Sequence, residues 1–251
     1  MATFASFDGI EIAYDDEGTG APVVLLHGFA ADATINWRGP GVIDALVADG
    51  RRVISYDARG HGRSGKPHEP AAYENDAMVK DAVALLDHLE LGPVDVAGYS
   101  MGALVTLRLI HEEPRVRSAV LGGIGGAVAP TGAARTNIAD ALESADPSSA
   151  PPAAKAFRAF ADSTGADLRA LAAIQRASIM QKRVDLSGIA IPCLVLVGDR
   201  DDLAKDAQQL VDRIPGASLE VISGTHLSAV NDPRFAQDIV QFFNAQAPKP
   251  A

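Results

Sequence analysis

The segment Val94-Asp95-Val96-Ala97-Gly98-Tyr99-Ser100-Met101-Gly102-Ala103-Leu104-Val105 constrains the fold of this chain more than any other. A short apolar run passes through Gly-x-Ser-x-Gly and directly into a helix-like run. A strand that becomes a helix this abruptly holds its central Ser in strained backbone with the hydroxyl exposed. Gly98 and Gly102 are expected to keep side chains out of the turn and away from the approaching helix. The helix N-terminus behind Ser100 presents unpaired N–H groups and positive dipole character, both of which suit a forming oxyanion. A plain Gly-rich turn could carry Gly-x-Ser-x-Gly alone; the strand before it and the helix after it single this one out.

The rest of the chain supports the same architecture. Val23–Leu26, Val94–Ala97 and Cys193–Val197 are near-continuous apolar runs, as in parallel strands covered by helices on both faces. Arg52–Tyr56, Val116–Leu121 and Ser218–Ile222 read as further strands. Helix-like segments lie near Tyr73–Leu89, Met101–Glu112, Asp202–Ile214 and Pro233–Ala245. Strands alternating with helices predict an α/β fold, a mostly parallel open sheet with helices on both faces. Phe4–Glu17, with Asp8-Gly9 at its centre, reads as an antiparallel hairpin at the sheet edge.

Residues 123–187 break the alternation. They are Ala-rich and lack strand-like runs, with helices expected near Arg135–Ser144, Pro152–Ser163 and Asp167–Lys182. Asp146-Pro147-Ser148-Ser149-Ala150-Pro151-Pro152 is a break among them. We expect a small helical cap, inserted into a core domain of residues 1–122 and 188–247, with a disordered tail at 248–251. A bundle of ordinary crossover helices is the competing reading.

Composition narrows the function classes. The net charge of −10 and the lack of any Lys/Arg run argue against nucleic-acid and anionic-membrane partners. No apolar stretch approaches the roughly 18–20 residues of a membrane helix. The opening residues show no basic region followed by an apolar block, so a cytoplasmic location is expected. Cys193 stands alone, which excludes an internal disulfide and a Cys-based zinc cluster. No internal repeat is present.

A Ser hydroxyl needs a base to take its proton, and the base needs an orienting acid. Both occur just beyond predicted strands, where open α/β sheets place their sites. Gly198-Asp199-Arg200-Asp201-Asp202 follows Cys193–Val197, and Ser223-Gly224-Thr225-His226 follows Ser218–Ile222. His226 is the candidate base. His88 and His111 fall on helices, His68 and His61 in loops, and His27 is better suited to bracing its own loop. No Asp or Glu lies between Gly122 and Ala139, so the acid comes from Asp199, Asp201 or Asp202. Asp202 is also placed to cap the following helix. An oxyanion hole needs two converging N–H groups. Met101 and Phe29, the latter in Leu26-His27-Gly28-Phe29, are the candidates. Phe29 and the single Trp, Trp37, are candidate substrate contacts, Trp37 being equally suited to the core.

Together these residues resemble the α/β-hydrolase superfamily. The features that carry the resemblance are Leu26-His27-Gly28-Phe29, Asp57-x-Arg59-Gly60-His61-Gly62-x-Ser64, Gly98-Tyr99-Ser100-Met101-Gly102, Gly198-x-x-Asp201 and Gly224-Thr225-His226 with Asp232-Pro233. The resemblance implies Ser100 as nucleophile, Asp201 as acid and His226 as base. It implies a serine hydrolase acting on a small or medium ester or lactone with water, with no metal and no cofactor. Epoxide hydrolases and haloalkane dehalogenases of the superfamily carry Asp where this chain has Ser100. Perhydrolysis as in cofactor-free haloperoxidases, C–C bond hydrolysis and a slow hydrolase-fold ligand receptor are the alternatives it leaves. Oligomeric state is not legible. Among cap residues, Leu142, Phe157, Phe160, Leu168, Leu171, Ile174, Ile179 and Met180 have the spacing of core positions. Arg135, Arg158, Arg169 and Arg176 are placed to meet an anionic substrate group or simply solvent.

Overall fold

The computed structural model describes residues 2–127, 132–177 and 184–246. Its eight strands are β1 (Ala2–Ala5), β2 (Glu11–Gly18), β3 (Pro22–Leu26), β4 (Arg52–Tyr56), β5 (Val94–Tyr99), β6 (Val116–Gly122), β7 (Cys193–Gly198) and β8 (Ser218–Ile222). They form one sheet in the order β1-β2-β4-β3-β5-β6-β7-β8. The β1–β2 and β2–β4 pairings are antiparallel and the rest parallel. The opening hairpin therefore sits at the sheet edge. The described helices are α1 (Val42–Ala48), α2 (Ala77–His88), α3 (Met101–Glu112), α4 (Gly132–Glu143), α5 (Pro152–Thr164), α6 (Leu168–Arg176), α7 (Ala207–Val211) and α8 (Pro233–Ala245).

The apolar runs are continuous because successive side chains enter cores on opposite faces of the sheet. Val23 and Leu25 pack with Trp37, Ile43, Leu46, Phe235 and Phe243 beneath α1 and α8. Val24 and Leu26 pack with Leu85, Leu86, Met101 and Val105 beneath α2 and α3. In β7, Leu194 and Leu196 join the first face, whereas Cys193, Val195 and Val197 join Leu107 and Leu210 on the other.

Two helices are shorter than the sequence suggests. Between Tyr73 and Ala77 the chain leaves helical geometry, because Asn75 and Asp76 adopt φ of +56° and +58°. A 3-10 turn, Pro70–Tyr73, precedes that break, and α2 follows it. The segment expected to be helical from Asp202 becomes so only at Ala207. The Asp201 carboxylate takes the N–H groups of Leu203 and Ala204, and Asp206 is left-handed at φ +57°. Asp202 thus caps nothing; it is 86% exposed and pairs with Lys205.

Helices α4, α5 and α6 occupy the chain between β6 and β7, and their apolar faces join the α2–α3 core through Ile138 and Leu142, Ala154 and Ala161, and Leu171 and Ile174 respectively. Asp167 caps α6 by accepting from the N–H groups of Arg169 and Ala170. Ile179, Met180, the remainder of the expected Asp167–Lys182 helix and the 248–251 tail lie outside the described residues. No described helix is long and apolar enough to cross a membrane.

Candidate active site

The turn from β5 into α3 gives Ser100 a φ of +51° and ψ of −111°. Such backbone is tolerated only where surrounding structure enforces it. Enforcement here is steric. A Cβ on Gly102 would run into the carbonyl oxygens of Leu26 and His27, and one on Gly98 into the Gly102 carbonyl. With glycine at both places, α3 closes directly over the ends of β3 and β5. The Ser100 N–H is held by the Gly122 carbonyl at 2.8 Å.

Three loops past strand C-termini bring Ser100, His226 and Asp201 into one hydrogen-bonded chain. His226 Nε2 lies 2.9 Å from Ser100 Oγ, and His226 Nδ1 lies 2.8 Å from Asp201 Oδ2. A carboxylate can only accept, so Nδ1–H donates to Asp201 and the bare Nε2 accepts the Ser100 hydroxyl proton. Asp201 is itself fixed, since its Oδ1 accepts from Leu203 N–H at 2.9 Å and Ala204 N–H at 3.1 Å. Asp199 faces elsewhere: its Oδ1 accepts from the Gly224 N–H at 2.8 Å. Of the three clustered carboxylates, only Asp201 reaches His226.

The loop after β3 is braced from below. Ala58 N–H donates to His27 Nε2 at 2.9 Å, so Nδ1 carries the His27 proton and donates to the Gly28 carbonyl at 2.8 Å. Burial holds His27 below the usual histidine range. The Gly28 N–H donates to Asn36 Oδ1 at 2.6 Å. These contacts carry the loop past Ser100 and leave the Phe29 N–H, like the Met101 N–H, without a protein acceptor among the described residues. His61 lies beneath, its ring 5.0 Å from that of His27 and 5.9 Å from that of Phe29. Burial, then the nearby His27, pushes His61 down to about 3.

Two cavities meet at Ser100. The larger, about 330 Å³, is walled by residues such as Met101, Leu104, Ile124, Ile138, Ala154 and Leu203. The smaller, about 200 Å³, lies toward Ile35, Asn36, Phe160, Leu227 and Val230. Ser100, Phe29, Phe157 and His226 line both. The Phe29 and Phe157 rings meet edge to face at 5.7 Å, so α5 contributes part of the wall between them. Trp37 lines neither cavity. It is 1% exposed and stacks on Phe235 at 5.9 Å in the α1–α8 core, which corrects its assignment as a substrate contact. It directly follows Asn36, which does reach the site, but its own ring faces the other way, into the core.

Tyr99 escaped the sequence reading. Its hydroxyl donates to the His226 carbonyl at 2.6 Å and its ring lies 5.5 Å from the imidazole. It therefore pins the base loop to the nucleophile strand. A residue flanking the Ser of Gly-x-Ser-x-Gly gives no signal of direction. Asn36 was missed similarly, in a short π-helical stretch, Thr34–Arg38, with no distinctive pattern.

A family model described as alpha/beta hydrolase fold matches residues 21–176. The 2-hydroxymuconate semialdehyde hydrolase of Pseudomonas sp. (strain CF600) is 38% identical over 125 residues, which is 49% of this chain and 43% of that protein. Non-heme chloroperoxidase CPO-A1 of Kitasatospora aureofaciens is 38% identical over 116 residues, 45% of this chain and 40% of that protein. These matches span less than half the length of either curated relative. Among solved structures, a thermophilic esterase from Thermogutta terrifontis aligns with a TM-score of 0.79 at 25% identity, covering 98% of this chain and 99% of that one.

Proposed function

From the premise that this chain belongs to the alpha/beta hydrolase fold family, we propose that it hydrolyses small or medium carboxylic esters or lactones through an acyl-enzyme on Ser100. The hydrogen-bonded chain from Ser100 through His226 to Asp201, at the meeting point of two cavities, carries this reading.

In this reaction His226 Nε2 removes the Ser100 proton as Oγ attacks the ester carbonyl carbon. The carbonyl oxygen becomes an oxyanion held by the N–H groups of Phe29 and Met101, the latter in the first turn of α3. Asp201 keeps His226 in the tautomer that leaves Nε2 bare and stabilises the imidazolium. His226 then returns the proton to the departing alkoxide, leaving the acyl group on Ser100. A water, deprotonated by His226, attacks that acyl carbon, and collapse releases the acid and restores Ser100. No step calls on a metal or an organic cofactor. Residues 123–187 serve as a cap over a core of 1–122 and 188–247. The contributions of Ile138, Ala154 and Phe157 to the cavity walls support that division.

A second reading shares every residue. Hydrogen peroxide in place of water would attack the same acyl-enzyme and release a peracid. The similarity to a non-heme chloroperoxidase favours it.

Burst kinetics on p-nitrophenyl esters of rising acyl length, with Ser100→Ala as control, test the proposal. A Ser100-dependent burst followed by steady turnover is expected. Unchanged turnover in Ser100→Ala, or a burst without turnover, would contradict it. Adding peroxide and assaying for peracid separates the two readings.

A further inference from the structure

Among the described residues, every other arginine that is buried or half-buried is paired with an Asp or Glu: Arg38, Arg51, Arg52, Arg59, Arg108, Arg115, Arg117 and Arg158. Arg135 is the exception. It is half-buried on α4 and lines the larger cavity. Among the described residues its one hydrogen bond runs from Nη2 to the Ile174 carbonyl at 3.1 Å. The undescribed stretches 128–131 and 178–183 contain no Asp or Glu that could pair with it. The carboxylate that shares the cavity lining, Asp202, is held by Lys205 at 2.9 Å.

Three costs converge on this side chain. Burial disfavours its charge and holds its pKa below the usual arginine range. It lies in the first turn of α4, where the helix dipole opposes a cation. A guanidinium has five N–H donors, and among the described residues only one of them has a protein acceptor. Arg135 lines the cavity alongside Gln175. A planar carboxylate entering the cavity would relieve all three costs at once, because it matches the guanidinium fork and supplies the missing charge. The apolar residues lining the cavity, such as Leu104, Ile124 and Ile138, would take a hydrocarbon linker between that carboxylate and the reacting carbonyl.

We propose that Arg135 is a specificity residue that receives a carboxylate carried by the substrate, so that the site prefers esters with an anionic end over neutral ones. This rests on the reading of Ser100 as the nucleophile. The carboxylate belongs either to the acyl half, as in a half-ester of a dicarboxylic acid, or to the alcohol half, as in an ester of a hydroxy acid.

Two matched pairs distinguish these sources: monomethyl adipate against methyl hexanoate, and 5-acetoxypentanoate against pentyl acetate. In one pair the anionic ester should show a kcat/KM about 10-fold or more above its neutral partner. Arg135→Gln should bring that ratio close to one, while Arg135→Lys, which keeps the charge but loses the fork, should retain part of it. A neutral preference in both pairs, or an equal fall for both members in Arg135→Gln, would overturn the proposal. Calorimetric binding of both anionic esters to Ser100→Ala, with and without Arg135→Gln, needs no turnover. Affinity for one of them that depends on Arg135 is expected, and indifference of both to the second substitution would overturn the assignment. If wild type hydrolyses no ester, the hydrolase reading falls, and the binding measurement still decides the role of Arg135.

Discussion

Ser100, His226 and Asp201 come from three separate loops, yet they form one hydrogen-bonded unit. Replacing Asp201 with Asn leaves the shape of that unit but removes the acceptor that selects the productive tautomer. We expect kcat to fall about 10⁴-fold. Asp199→Asn should stay within a few-fold of wild type in the same p-nitrophenyl ester assay, because Asp199 holds the Gly224 N–H and faces Arg200 at 3.5 Å rather than His226. Ser100 and His226 were legible from the strand-turn-helix pattern and from position after the last strand. The choice among Asp199, Asp201 and Asp202 was not, since alternating charges in one loop give no direction; only the resemblance pointed to Asp201. Beneath the site, His61 is pushed down to about 3 by burial and by His27. The unfolded chain protonates this residue near pH 6.5 and the folded one does not. Its contribution to stability is therefore complete above pH 6.5 and lost progressively as pH falls toward 3. Between pH 8 and pH 5 the loss should be about 2 kcal/mol from this residue. Urea unfolding at both pH values should show it, and His61→Gln should reduce the difference. An equal pH dependence in the variant would refute this account of His61.

Elements were legible where the hydrophobic period was strong. The runs at β3, β5 and β7 read as strands covered on both faces, and they are. The beginnings of α2 and α7 were not legible, because left-handed Asn75, Asp76 and Asp206 interrupt otherwise helical patterns. Within β5, Asp95 breaks the apolar run for a reason that tertiary structure supplies. It is 0% exposed and accepts from Arg51 Nη1 at 2.6 Å, Arg117 Nη2 at 2.6 Å and Ser118 Oγ at 2.6 Å. Arg51 also donates to Asn244 at 2.9 Å, tying α8 into the same cluster. Asp95→Ala would leave the buried Arg51 without its closest carboxylate. A destabilisation of about 3–5 kcal/mol should follow, read from the urea midpoint at unchanged m-value. A change below 1 kcal/mol would show that the cluster relaxes without cost.

At the scale of the molecule, the loops beyond the sheet's strands hold the Ser100–His226–Asp201 chain, and the helices between β6 and β7 line much of the space around it. Thr164 donates to the Ala30 carbonyl at 3.1 Å, and His68 lies 2.9 Å from Asp167, so these helices are tied to the sheet loops on two sides. Phe157 lines both cavities at Ser100. Phe157→Ala should merge them and raise kcat/KM for long-chain p-nitrophenyl esters about 10-fold relative to the acetate. A parallel change at all chain lengths would show that Phe157 is not a partition. Helices at α4, α5 and α6 could be read from the sequence, but which side chains face the cavity depends on how these three rotate against the core. That is why Arg135 could not be separated from Arg158, Arg169 and Arg176 in the sequence. The central claim is that Ser100 is the nucleophile, and covalent labelling tests it most directly. Treating the protein with a fluorophosphonate and mapping the adduct by mass spectrometry should place one phosphonyl group per chain on Ser100, with ester hydrolysis lost in proportion. A modified residue elsewhere, or hydrolysis that survives full labelling, would contradict it.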